Sequence, residues 1–169
     1  MSIAAILREL EQEHATTRRV LERVPEEKLS WKPHPKSMSL GELALHVAMS
    51  SGYIASNWAL QDVVQLGGGG DSPKPSSKTQ ILAAHDESVT KTRDALTQLG
   101  DEGLSKLWKA EANGTTVFEM PKAALVRSIV LNHTYHHRGQ LSVYLRLLDV
   151  PVPSIYGPSA DENPLTARV

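Results

Sequence analysis

Four stretches of this chain place apolar residues three and four positions apart over about twenty residues or more. That spacing belongs to helices that bury one face. The first runs from about Ser2 to Val24, with Ile3, Ile6, Leu7, Leu10, Leu21 and Val24 on one side and Pro25 behind it. The second begins at Ser39, where Ser39-Leu40-Gly41-Glu42 has the form of a capping box, and continues to about Leu66 on Leu40, Leu43, Val47, Ile54 and Trp58. The third extends from about Ser77 to Leu99 on Ile81, Leu82, Val89, Leu96 and Leu99, and Gly100 is a natural stop. The fourth spans Pro121 to Asp149, and Pro121 suits a first helical turn, where a missing N–H costs nothing. Helices of this length bury their stripes against one another. The expectation is an all-α fold, a four-helix bundle, as a single domain over residues 1–169.

The connections are long and unlike one another. Leu29 to Met38 holds Trp31, Pro33 and Pro35 and reads as extended. Gly67 to Pro75, with four consecutive glycines, reads as a flexible joint; no strand precedes it and no Lys-Ser/Thr follows, so it is not a phosphate loop. Asp101 to Met120 is the least regular part, where Asn113-Gly114 is a strong turn signal between β-tolerant runs around Trp108 and Val117. From Pro151 onward, four prolines rule out a regular helix and imply an extended C-terminal tail.

Charge and composition exclude several function classes. The formal net charge is −1 at pH 7, which gives no electrostatic footprint for nucleic acid or for an anionic membrane surface. No apolar run approaches a membrane span, and the N-terminus lacks a signal-peptide pattern, so a cytoplasmic location is the expectation. There is no cysteine, hence no disulfide, no thiolate ligand and no cysteine nucleophile.

Histidine carries the chemistry. Three of the seven lie within Asn132-His133-Thr134-Tyr135-His136-His137-Arg138-Gly139-Gln140. At about 100° per residue, His133 and His137 fall in the apolar stripe with Val126, Val130, Tyr144 and Leu148. His136 falls toward its edge, and Arg127, Arg138, Ser142, Arg146 and Asp149 fall on the opposite face. A single inward histidine is ordinarily a hydrogen-bonded core residue. Two imidazoles one turn apart on a buried face need polar partners that they cannot supply to each other, and a divalent metal is an efficient one. A stable site needs a third ligand. His14 and His85 project onto the stripes of the first and third helices. His46 heads a polar column with Ser50, Tyr53 and Asn57 along the second, while His34 lies in the proline-rich loop. Geometry leaves His14, His46 and His85 open. Ser50, Asn57 and Gln140 are candidates to orient ligand imidazoles, and Glu42, one turn before His46, could serve as a general base.

Trp31-Lys32-Pro33, Leu43-Ala44-Leu45-His46-Val47-Ala48, the segment Asn132 to Leu141 and the tail Pro151-Val152-Pro153-Ser154-Ile155-Tyr156 together resemble the DinB family of bacterial metalloproteins. This family takes its name from DNA-damage-inducible proteins and is not the translesion polymerase that shares it. The resemblance implies a DinB/YfiT-like four-helix bundle in which His46, His133 and His137 bind a divalent metal, with zinc, nickel or iron as the expected ions. It selects His46 over His14 and His85, and leaves His136 extra to the motif. It further implies a homodimer and a metal-dependent transferase that uses a low-molecular-weight thiol such as bacillithiol or mycothiol. A metal-dependent hydrolase and a non-enzymatic metal-binding protein are the alternatives, with His85 as the fourth ligand that would close a structural site.

Overall fold

The computed structural model describes residues 2–67 and 73–165. Most of the glycine-rich joint, residues 68–72, lies outside the described residues. The first helix, α1, is Ile3–Leu21. Its N-terminus is capped twice: the Ser2 hydroxyl accepts from Ala5 N–H, and Asp101 Oδ1 accepts from Ile3 N–H at 2.6 Å across the bundle. The second, α2, is Leu40–Ile54, and its capping box is complete. Ser39 Oγ accepts from Glu42 N–H at 3.2 Å, and Glu42 Oε2 accepts from Ser39 N–H at 2.7 Å. The helix loosens into a π turn, Ala55–Ala59, and ends there rather than at Leu66.

The chain departs from the all-α expectation at this point. Val63–Gln65 forms a short strand, β1, and Leu107–Ala112 and Thr115–Pro121 form β2 and β3. The strands make one sheet in the order β1-β2-β3, with β1 parallel to β2 and β2 antiparallel to β3. Asn113 and Gly114 close the hairpin with φ of 51° and 75°, the left-handed pair that a two-residue turn requires. The turn signal was therefore correct, and the β-tolerant runs beside it are strands. Trp108 and Ala110 alternate inward from β2 and fill the core beneath. That burial is what earns the hairpin its place on a helical bundle. Val63 and Val64 leave the helical pattern because β2 offers them a ladder.

The third helix, α3, is Lys78–Leu104, broken at Gly100, whose φ of 63° and ψ of 174° are not helical. The expected stop is a kink, after which one further turn brings Asp101 to the start of α1. The last helical rod has three parts: α4, Lys122–Leu125; a π segment, Val126–Asn132; and α5, His133–Leu147.

Two large apolar clusters, with a smaller third of Ile54, Ala55, Ala95 and Val130, hold the bundle. One gathers Val20, Leu21, Leu40, Leu43, Val47, Ile81, Leu141 and Leu145; the other gathers Ile6, Leu10, Leu96, Leu104, Trp108, Leu125 and Leu131. Buried polar groups lie among them, including His14, Thr17, Ser51, His85, Ser88, Thr92 and Arg138. Arg138 corrects the helical projection, being only 1% exposed rather than outward-facing. Its guanidinium donates to Thr17 Oγ1 and Glu13 O at 3.1 Å, meets Glu13 Oε2 at 2.6 Å and Tyr156 Oη at 2.6 Å, and lies against the rings of Tyr135 and Tyr156. A buried cation is stable only when its donors are paired in this way. Residues 150–165 carry no helix or strand. Val152 and Ile155 pack on the bundle of their own chain.

Candidate metal centre

His46 projects from the middle of α2, and His133 and His137 from the first two turns of α5. These helices pack side by side. The face of α5 turned fully inward is Thr134, Arg138, Leu141 and Leu145, so His133 and His137 flank that stripe and are half-buried. They therefore stand at a margin of the core, where a cavity can reach them.

The three imidazoles converge. His133 Nε2 lies 3.3 Å from His46 Nε2 and 3.1 Å from His137 Nε2, and one ligand atom from each ring lies within 4.8 Å of the others. The ring planes are nearly perpendicular, at 73°, 86° and 77°. Two contacts meet on one nitrogen of His133, and a neutral imidazole nitrogen holds either one proton or one lone pair, so hydrogen bonding satisfies at most one of them. Nitrogens held about 2.0–2.1 Å from a tetrahedral ion are about 3.4 Å apart. The observed spacing fits that arrangement.

The electrostatics keep the lone pairs available. Burial and the neighbouring imidazoles hold the His133 pKa down at about 4. Burial also lowers those of His46 and His137. Gln140 Oε1 accepts from His137 Nδ1 at 2.7 Å, which fixes the proton on Nδ1 and leaves Nε2 as the donor atom for a metal. Of the three expected supporting residues, Gln140 alone makes such a bond. Asn57 donates to Tyr53 O, and Ser50 is buried with no partner for its hydroxyl among the described residues.

A cavity of about 330 Å³ opens beside the histidines. Its walls include His46, His133, Glu42 and Ser50, and otherwise mostly apolar side chains, among them Met49, Ile54, Trp58 and Ile129. Met49 and Ile129 carry no signal of a lining role in the sequence, because two helices must pack before their flanks can enclose anything. The other histidines stand elsewhere. His14 and His85 pair with each other, His34 is exposed, and His136 is exposed beside His137. His85 is not the fourth member of this cluster; among the described residues, His46, His133 and His137 are the one grouping of potential ligands close enough to hold an ion.

A four-helix bundle with three converging imidazoles over an apolar cavity defines a class of small bundle proteins with a candidate metal centre. The DinB family model matches residues 1–165, and the chain belongs to the DinB family. It is 29% identical over 157 residues to the uncharacterized protein YrdA of Bacillus subtilis (strain 168), covering 92% of this chain and 89% of that one. The fold matches a DinB-like protein from Bacillus cereus ATCC 10987 with a TM-score of 0.72 at 25% identity, over 92% of this chain and 98% of the other. It also matches a DinB-like protein, YjoA, from Bacillus subtilis with a TM-score of 0.64 at 22% identity, over 87% and 95%.

Proposed function

We propose that His46, His133 and His137 bind a divalent metal ion and that the protein is a metal-dependent transferase using a low-molecular-weight thiol as nucleophile. The observation that supports this most is three Nε2 atoms converging at the wall of an apolar cavity, with no fourth ligand among the described residues. Three protein ligands and an open position are the pattern of catalytic rather than structural sites. A bound divalent ion lowers the pKa of a thiol that meets it, so a nucleophile forms at neutral pH without a protein cysteine. The chain's own residues supply the rest. Neutral imidazoles leave the ion its full charge, Gln140 holds the His137 ring, and the apolar cavity walls would receive the acceptor. The thiol gives up its proton to solvent water, its sulfur bonds to the electrophilic carbon of the acceptor, and the leaving group departs with the electron pair of the broken bond.

Glu42 is a poor general base for the hydrolase alternative. Its carboxylate accepts from Ser39 N–H, and that bond holds its pKa below the usual range. A cytoplasmic setting, where small thiols stay reduced, is part of this reading; no helix among the described residues is long and apolar enough to cross a membrane. So is a homodimer. Val152 and Ile155 of the tail pack on their own chain, and the exposed Leu107, Val117 and Phe118 of the hairpin are apolar surface that a second copy would cover. Sedimentation velocity at micromolar concentration is expected to report a dimer, and a monomer would overturn that part.

The test of function offers bacillithiol, mycothiol, glutathione and cysteine in turn with an aromatic electrophile. At least one should react at a metal-dependent rate that chelation abolishes and that His46→Ala removes without unfolding the bundle. A rate indifferent to His46→Ala would exclude the mechanism.

A further inference from the structure

Three cavities meet at Glu42. Its side chain lines the histidine cavity, a second of about 300 Å³ and a third of about 340 Å³. Lys32 and Lys74 line both of the outer two, and Lys36 lines the third. No other acidic side chain contributes to either wall among the described residues. Three lysines and one glutamate thus line these walls, a local excess of two positive charges on a chain whose net charge is −1. The carboxylate is already engaged, by Ser39 N–H at 2.7 Å and by Lys32 Nζ at 3.7 Å. Among the described residues, neither Lys36 nor Lys74 has an ion-pair partner within 4.0 Å. A concave surface lined by charge of one sign concentrates ligands of the other.

We propose that this lysine groove, with Lys36 and Lys74 as its uncompensated charges, binds the anionic group of a small substrate whose other end reaches the histidine cavity. The ligand class is a thiol carrying a carboxylate or a phosphate ester, and this deepens the thiol reading above. Glu42 precedes His46 by one helical turn, a rise of about 6 Å, so one small molecule can span both places. Met49 and Trp58 line the histidine cavity beyond His46, where the acceptor would sit. Lysine suits the outer end because its ammonium is a compact, strongly hydrated point charge that receives carboxylate and phosphate alike. The groove therefore selects for charge, and an uncharged thiol gains nothing from it.

Isothermal titration calorimetry at low ionic strength tests this with four probes. Zinc-loaded protein is titrated with mercaptosuccinate and with 1-thioglycerol, an uncharged thiol. Metal-free protein is titrated with succinate and with inorganic phosphate. The anionic thiol should bind about tenfold tighter than thioglycerol, the scale expected of two partly exposed ion pairs. A Lys36→Gln/Lys74→Gln double variant should reduce it to the affinity of thioglycerol while leaving thioglycerol unchanged. Succinate or phosphate should bind the metal-free protein and lose affinity in the same variant, and their ranking identifies the anion. Equal affinity for the two thiols, or no anion binding that needs the lysines, overturns the groove while leaving the thiol reading intact. Anion binding that depends on Lys36 and Lys74, with neither thiol binding the zinc-loaded protein, supports the groove and overturns the thiol reading.

Discussion

The molecule holds two groups of buried or half-buried histidines, and they show what a histidine needs beyond burial to become a site. Between α2 and α5, His46, His133 and His137 aim three nitrogens at one point beside a cavity. Between α1 and α3, His14 and His85 meet edge to face, with centroids 5.5 Å apart and planes at 70°. They are the more deeply buried, at 8% and 2% exposure. His14 Nε2 and both nitrogens of His85 have no hydrogen-bond partner among the described residues. Asp86 approaches His85 Nδ1 only to 3.8 Å and is itself held by Arg18. Two ligands without a third cannot hold an ion. Both groups are kept neutral by burial, but only one has its lone pairs converging on accessible space.

The comparison can be broken most directly by metal content. Replacing His46, His133 or His137 singly with Ala should lower bound zinc from about one ion per chain to under a tenth, since two ligands do not retain a stable site. His14→Ala and His85→Ala should each leave it intact. Elemental analysis of tag-free protein decides between them, and metal lost on replacing His85 would merge the two groups.

Stability should divide them in the opposite sense. Burial holds the His14 pKa at about 4, below the usual 6.5. Between those values the folded chain binds fewer protons than the unfolded one, so stability falls as pH drops from 6.5 toward 4 and is unaffected above that window. A His14→Leu/His85→Leu variant of metal-free protein removes the unpaired nitrogens. It should be more stable by about 2 kcal/mol at pH 7, and should lose less on acidification to pH 5. Urea unfolding at both pH values measures this, and an unchanged pH dependence would mean that other groups govern it.

A smaller effect is expected at Gln140. Gln140→Leu frees the His137 ring to rotate and should weaken zinc binding about tenfold in a chelator competition. The smallest belongs to His136. Exposed and outside the group of converging nitrogens, it should change metal content within error when replaced by Ala.

The parts of this fold that were legible in the sequence are those decided within a few residues. The capping box at Ser39, the turn at Asn113-Gly114 and the i, i+4 spacing of His133 and His137 each follow from local geometry, and the structure contains them. What misled was any inference that needed a partner. Val63 and Val64 continue the apolar pattern of α2, but a ladder with β2 draws them into a strand. Arg138 falls outward when His133 is taken as the centre of a stripe shared with Val126 and Val130, because those two lie in a segment that is not wound at 100° per residue. The series Thr134, Arg138, Leu141 and Leu145, with successive steps of four, three and four, places it inside. His46 could not be told from His14 and His85 by periodicity, since which helix lies against α5 is a long-range matter. The resemblance to DinB proteins supplied that choice.

The π segment Val126–Asn132 just before the first histidine of α5 has a consequence for how this rod tolerates change in length. A π turn holds roughly one more residue than an α turn while advancing the axis by a similar amount. Deleting one residue there, at the exposed Ser128 for instance, would let the turn rewind as regular helix with both flanks still facing as they do now. The same deletion between His133 and His137 would swing everything beyond it by about 100° and carry His137 off the cluster. The loose turn is thus an expansion joint. It insulates the aim of the imidazoles from the loss of a residue within that segment, between the hairpin and the site.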